Sequence, residues 1–284
     1  MKRKNILWIG TGLAVAGAAG ILLDALVLEK YFFDIKQFDI GNKGSRKKLK
    51  LVLITDLHFK ELVLPHHKKL ANTLNKMQPD LLLITGDTLD STGEMAPVEN
   101  FFAMLDHQIK KVAIAGNNDY KASPSIGKLK EVLETHNCEF LVNESKPFDI
   151  KGTRVMVTGL DDLLEGDSCF TDAVKGVGRE EHHLLLVHSP LQQENAKNQI
   201  EKLNNERSEG NKLNISYIFA GHTHGGQVRL PGYVPVLPDK SGDYVNGWYN
   251  TSAPYLYVSK GFGTSSIPLR FFANSEVTLF NYYV

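Results

Sequence analysis

Leu51-Val52-Leu53-Ile54-Thr55-Asp56-Leu57-His58 sets a short apolar run directly against an acid and an imidazole. A run of aliphatic residues of this length, bounded by polar residues, reads as a buried strand. The arrangement recurs along the chain. Residues 81–85 lead into Gly86-Asp87, residues 112–115 into Gly116-Asn117-Asn118-Asp119, residues 183–187 into His188, and residues 215–220 into Gly221-His222-Thr223-His224-Gly225-Gly226. Residues 154–158 form a further apolar run. Segments with helical character lie between the runs: 66–77 with Leu70 and Leu74 on one face, 101–105, 125–135, and the polar stretch 191–204. Strands alternating with helices predict an α/β architecture, with mostly strands after Asn137. Residues 206–212 read as a surface loop. Residues 231–250, rich in Pro, Gly, Asp and Tyr, read as a long irregular loop.

In open α/β sheets, ligands gather beyond the carboxyl ends of the strands. Asp56, His58, Asp87, Asn117, His188, His222 and His224 are therefore expected to converge, although they are far apart in the chain. Carboxylate oxygen, amide oxygen and imidazole nitrogen together suit Mn, Zn or Fe, whereas a calcium site would be mostly oxygen. A carboxylate such as Asp87 can bridge two ions. Two ions about 3.5–4 Å apart can clamp a phosphoryl group and ionise a bridging water at neutral pH, poised for attack on phosphorus.

The series Asp56-x-His58, Gly86-Asp87-x-x-Asp90, Gly116-Asn117-Asn118-Asp119, His188 and Gly221-His222-x-His224, with about thirty residues between successive members of the first three, resembles the calcineurin-like metallophosphoesterase superfamily. That resemblance implies a β-sandwich flanked by helices, a four-layer αββα arrangement. It implies two divalent metal ions: one held by Asp56, His58 and His224, the other by Asn117, His188 and His222, with Asp87 between them. It places the catalytic positions at Asn118 and Asp119, and leaves Asp90 either behind the metal ligands or as a helix cap. The ending Ser259-Lys260-Gly261-Phe262-Gly263-Thr264 with Pro268-Leu269-Arg270 is similar to a membrane-associated bacterial branch that includes UDP-2,3-diacylglucosamine pyrophosphatases of lipid A synthesis.

The chain departs from the family at Asn118, where a histidine is usual. In the family that histidine stabilises the transition state and can help protonate the leaving oxygen. An amide donates a hydrogen bond but transfers no proton in this role. An alkoxide leaving group would suffer from the loss, whereas a phosphate departs as an anion. The expected reaction is therefore hydrolysis of a pyrophosphate or phosphodiester bond in an amphipathic substrate such as UDP-2,3-diacylglucosamine. The alternatives are a general phosphodiesterase of envelope polymers or nucleotides, and a metal-binding interaction module without turnover.

The N-terminus points to a membrane. Met1-Lys2-Arg3-Lys4 precedes residues 5–23, nineteen residues without a charge, and as a helix that run would be about 28 Å long, near the thickness of a bilayer core. Gly10, Gly12, Gly17 and Gly20 fit a membrane helix better than a soluble one. A cleaved signal peptide ending near Ala14-Val15-Ala16 and a buried amphipathic helix are the competing readings. Basic residues flank the run on both sides, so the positive-inside rule pulls both ways. The expected organisation is an anchor at 1–30, a basic linker at 31–49 and a catalytic domain at 50–284, attached to a bacterial inner or plasma membrane, with membrane lipid as a partner.

Composition agrees with this partition. The 284 residues hold 32 Lys plus Arg against 32 Asp plus Glu, so no basic surplus supports nucleic-acid binding. The two cysteines, Cys138 and Cys169, make neither a disulfide framework nor a metal motif. His66, His67, His107, His136, His182 and His183 read as structural or exposed. Gly225 and Gly226 are expected to permit a tight turn, Lys260 and Arg270 are candidate contacts for a substrate phosphate, and Tyr233, Tyr244 and Trp248 are candidate pocket or lipid contacts.

Overall fold

The five runs that end in metal-type ligands all form strands, and they divide between two sheets. The computed structural model describes residues 17, 19–20, 23–122, 126–265 and 267–284. The strands are β1 (Asp34–Gly41), β2 (Lys48–Ile54), β3 (Leu81–Thr85), β4 (Lys111–Ile114), β5 (Cys138–Leu141), β6 (Glu144–Ile150), β7 (Thr153–Gly159), β8 (His183–Leu186), β9 (Ile215–Ala220), β10 (Gly247–Tyr249), β11 (Tyr255–Val258) and β12 (Glu276–Tyr283). One sheet runs β1-β12-β2-β3-β4-β5 and the other β10-β11-β9-β8-β7-β6. β2 to β5 are parallel, as are β7, β8, β9 and β11. Their carboxyl ends consequently lie along one edge of each sheet.

Strand alternation sorts the aliphatic side chains into layers. Leu51, Leu53, Leu81, Leu83, Val112 and Ile114 face Val155, Val157, Leu184, Leu186 and Phe219 between the sheets. On the outer face of the first sheet, Val52, Ile54, Leu82, Ile84 and Ala113 pack beneath the helices Pro65–Met77, Met95–Ala103 and Gly127–Thr135. On the outer face of the second, Leu185, Val187, Ile218 and Ala220 pack beneath Phe170–Ala173 and Gln192–Glu206. The result is the expected four-layer αββα sandwich. Strands buried on both faces read as unbroken aliphatic runs, which is why their sequences lack polar alternation.

Two segments differ from their sequence reading. The stretch 31–49, expected as a basic linker, contributes β1, which pairs in parallel with β12 in the register Asp34↔Glu276. Its polar sequence DIKQFDIG suits an edge strand with an exposed face. Within the irregular loop 231–250, Gly247–Tyr249 adds an antiparallel edge strand against β11.

Most of the expected anchor, and Ser125 at the start of the expected helix 125–135, lie outside the described residues. Helical turns at Asp24–Leu28 and Glu29–Tyr31 are described. They dock on the body: the Arg270 N–H donates to Ala25 O at 2.9 Å, and the buried Glu29 carboxylate accepts the N–H groups of Phe272 and Ala273 at 2.7 and 3.1 Å. Among the described residues, no helix is long and apolar enough to cross a membrane.

Candidate metal centre

Past the ends of β2 and β3 the two segments keep pairing through their loops. The Asp56 N–H donates to Gly86 O at 3.0 Å, and the His58 N–H to Asp87 O at 3.1 Å. Past β8 and β9, the Gly221 N–H donates to His188 O at 3.0 Å. The loops that carry the ligands are thus stitched to one another. Asp56, His58, Asp87, His222 and His224 all sit at positive φ, between 49° and 72°. Residues other than Gly adopt this region uncommonly, Asn, Asp and His most readily among them. Five such residues in one cluster mark a place where the surrounding structure holds the backbone against its preference.

The glycines beside the ligands leave no room for a side chain. A Cβ on Gly116 would stand 2.3 Å from Asp87 Oδ1, and one on Gly221 would stand 2.1 Å from Thr55 Oγ1 and 2.5 Å from Asp56 Oδ2. Gly225 and Gly226, at φ 60° and 80°, make the expected turn behind His224.

The side chains converge as expected. Asp56, His58 and His224 offer ligand atoms within 4.8 Å of one another, and so do Asp56, Asp87 and His188. Asp56 belongs to both groups, and its carboxylate also accepts the His222 N–H at 3.0 and 3.2 Å. Asp87 Oδ2 lies 3.5 Å from His58 Nε2 and 3.4 Å from His188 Nε2, between the two halves of the site.

The imidazoles face each other in pairs, His58 Nε2 to His224 Nε2 at 3.0 Å and His188 Nε2 to His222 Nδ1 at 3.2 Å. In the second pair the outward nitrogens are committed: His188 Nδ1–H donates to Thr85 O and His222 Nε2–H to Asp239 O, both at 2.7 Å. In the neutral form that ligates a metal, each inward nitrogen is then a lone pair. Two lone pairs at this distance repel unless a cation lies between them, and orientation of ligand imidazoles by carbonyls is the usual arrangement at metal sites. Asn117 Oδ1 is buried without a hydrogen-bond partner, a further acceptor left for a cation. The donor set therefore fits two divalent ions.

Electrostatics match. Burial favours the neutral form of His188, but the Asp87 carboxylate outweighs it and raises the imidazole well above its ordinary value. For His58 burial is likewise outweighed by Asp90, Asp87 and Asp56, so its pKa is raised. Burial opposes ionisation of Asp87, yet His188 and His58 hold its pKa below the carboxylate range. His224 moves the other way: burial, then His58 and Arg270, keep it neutral, the form that ligates.

The positions read as catalytic divide. Asn118 touches the centre, donating from Nδ2 to Asp87 Oδ2 at 2.6 Å and from its backbone to Asp87 Oδ1 at 2.8 Å. Asp119 is fully buried, and its carboxylate accepts the N–H groups of Leu89 at 2.7 Å and Gly116 at 2.8 Å. It braces the loops that carry Asp87 and Asn117. Burial, then Asp87, pushes its pKa up to about 7. Asp90 caps no helix: Oδ1 accepts the Thr92 N–H at 3.2 Å, and Oδ2 faces His58 Nδ1 at 3.6 Å.

Lys260 and Arg270 are committed to protein partners. Lys260 pairs with Asp34 at 2.9 Å. Arg270 is fully buried, donating to Gly263 O, Ala273 O and Lys260 O at 2.8, 2.8 and 3.0 Å, and faces His224 Nδ1 at 3.4 Å. It ties the C-terminal loops to the back of a metal ligand. Of the histidines read as structural, His183 is buried against Thr158 Oγ1 at 2.7 Å and His182 meets Tyr282 at 3.0 Å. Asp162 was missed. It is fully buried, accepts two loop N–H groups at Oδ2, leaves Oδ1 unpartnered, and has a pKa raised by burial despite the nearby His188. It follows β7, so extending the strand-end rule to that strand finds it.

Comparison with known proteins agrees with this geometry. Residues 49–226 match the family described as calcineurin-like phosphoesterase. The chain is 27% identical over 237 residues to the uncharacterized metallophosphoesterase YkuE of Bacillus subtilis, covering 81% of this chain and 78% of that one. It is 29% identical over 240 residues to the uncharacterized protein YpbG of the same organism, covering 84% and 83%. It is 27% identical over 247 residues to a transmembrane protein with metallophosphoesterase domain from Danio rerio, covering 82% of this chain and 53% of that one.

Proposed function

We propose that this chain, which belongs to the calcineurin-like phosphoesterase family, hydrolyses a phosphoanhydride or activated phosphodiester bond in a lipid-linked nucleotide sugar such as UDP-2,3-diacylglucosamine. The observation that carries the hydrolytic part is the two pairs of facing imidazoles, one on either side of Asp87, with Asn117 Oδ1 left unpartnered. When bound, two divalent cations, Mn, Zn or Fe, supply Lewis acidity and an ionised water near neutral pH. Asp56, His58 and His224 would hold one and Asn117, His188 and His222 the other, with Asp87 between.

The protein's own groups set the rest. Thr85 O and Asp239 O fix the tautomers of His188 and His222. Asp119 keeps the loops of Asp87 and Asn117 in register. Asn118 orients Asp87 and holds no transferable proton, which favours a leaving group that departs as an anion. We assign residues 5–23 as a membrane anchor. The uncharged run supports this, as does the naming of the Danio rerio relative as a transmembrane protein. The anchor would hold the centre near amphipathic substrate.

The test uses full-length protein reconstituted with Mn, alongside Asp87→Ala. Release of UMP from UDP-2,3-diacylglucosamine, preferred over a soluble aryl phosphodiester and lost in Asp87→Ala, supports the reading. Aryl ester turnover without UMP release rejects the substrate and leaves the phosphohydrolase.

A further inference from the structure

We infer that the cleft beside His224 binds the hydrocarbon chain of the phosphorylated substrate, a reading that rests on the phosphohydrolase assignment above. Two clefts flank the metal centre. One, of about 330 Å³, is lined by His58 with Lys30, Lys60, Glu61 and His66. The other, of about 430 Å³, is lined by His224 with Val228, Pro235, Val236, Pro238 and Ile267. The two clefts share a wall, since Gly263, Thr264 and Pro268 line the first and Ser265 and Ile267 the second. His58 lines the first cleft and His224 the second, so a phosphoryl group bound at the metal centre lies beside both.

The two sides differ in chemistry. In the cleft beside His224 the side chains of Thr223 and Gln227 are already engaged. Thr223 Oγ1 donates to Val245 O at 2.6 Å. Gln227 donates to Ile267 O at 2.6 Å and accepts the Ser265 N–H at 2.9 Å. A nucleobase or sugar buried there would lose its hydrogen bonds to water and find few replacements, whereas a hydrocarbon loses nothing. The volume lies in the ordinary range for a small-molecule site, about 300–1,000 Å³. The opposite groove is mixed, with Lys30, Lys60 and Glu61 beside Leu57, Leu62 and Leu64, and its charged groups suit the polar remainder of the substrate.

The apolar lining continues outward. Val236 and Ile267 are 73% and 52% exposed, and Phe272 is 63% exposed. Phe272 adjoins Phe271, which bridges to Val228 of the cleft. The same strip holds the N-terminal turns through Ala25 and Glu29, and those turns expose Leu23, Leu26 and Val27. The cleft thus leads to an apolar rim beside the segment that follows the uncharged N-terminal run. A hydrocarbon chain entering from a bilayer meets apolar surface along that route.

Binding of dodecyl phosphate and ethyl phosphate to the full-length, Mn-loaded chain in amphipol tests this, measured by calorimetry below the micelle concentration. The comparison includes Val236→Asp and Ile267→Asp, both at exposed positions, with melting curves to verify folding. Dodecyl phosphate is expected to bind at least about tenfold more tightly than ethyl phosphate, given about 0.8 kcal/mol per buried methylene. Each substitution should remove most of that difference. Equal binding of the two phosphates overturns the inference and leaves the phosphohydrolase reading intact. So does a chain-length advantage that survives both substitutions, because the chain then lies elsewhere. Failure of both phosphates to bind a chain that carries its metals overturns the phosphoryl-binding role of the centre, and the inference with it.

Discussion

The side chain of Asn118 donates to Asp87 Oδ2 at 2.6 Å while its backbone N–H donates to Oδ1 of the same carboxylate at 2.8 Å. One residue thus clamps both oxygens of the acid that lies between the two halves of the centre. Removing the amide in Asn118→Ala leaves the backbone donor alone. The expected loss in kcat/KM is about tenfold to a hundredfold, the usual effect of losing a partner behind a metal ligand. Asn118→His introduces a transferable proton, so turnover of an alkyl phosphodiester should rise about tenfold or more relative to its nitrophenyl counterpart. A ratio unchanged by histidine would detach residue 118 from the choice of leaving group.

Gly221→Ala tests the tight approach behind Asp56. Its Cβ would stand 2.1 Å from Thr55 Oγ1 and 2.5 Å from Asp56 Oδ2, so one of the loops has to shift. Overpacking of this kind costs about 1–3 kcal/mol. A lower melting temperature together with a reduced metal content is the expected pair of results. Full metal loading with an unchanged melt would show that the loops yield freely.

The ligands were legible because each closes an aliphatic run. Leu51 to Thr55, Leu81 to Thr85 and Ile215 to Ala220 advertise buried parallel strands; Asp56 follows directly, and Asp87 and His222 follow after one glycine. What escaped reading was set by partners distant in the chain. β1 has the polar composition of an edge strand, and its pairing partner β12 lies at the other end of the chain. Arg270 and Lys260 read in sequence as candidate phosphate contacts. Their burial depends on carbonyls and carboxylates supplied by separate loops and by β1, which no local pattern records.

Arg270→Met separates the structural role of that guanidinium from a substrate contact. The substitution leaves Gly263 O, Ala273 O and Lys260 O without their buried donor. Breaking a buried charged network costs about 3–5 kcal/mol. Arg270→Lys should recover only part of this, because an ammonium lacks the planar fork. Chemical denaturation is expected to show the loss, with KM for a soluble phosphodiester little changed in the fraction that stays folded. A large rise in KM at full stability would restore Arg270 as a phosphate contact.

The pH dependence of metal stabilisation follows from the pairing of His188 with Asp87. In the metal-free chain the His188 pKa is raised well above 6.5 and that of Asp87 is held below 3.8. The contribution of His188 is fully present below 6.5 and is lost as pH rises through its raised value; that of Asp87 is present above 3.8 and is lost as pH falls through its depressed value. The metal-free centre is therefore stabilised by its own ion pair across the neutral range and loses that support on the alkaline side. Divalent ions need His58 and His188 deprotonated, so their binding releases protons and strengthens as pH rises. Buried His66 and His67, with pKa values lowered to about 4 and about 3, destabilise the fold as pH falls below 6.5, whether or not metal is bound, so their effect cancels between the two forms. Melting curves from pH 5 to 9, with chelator and with Mn, should show a metal-induced increase in Tm that grows with pH. An increase of constant size across that range would mean that no imidazole gives up a proton when the metal binds, and His58 and His188 would lose their place as ligands.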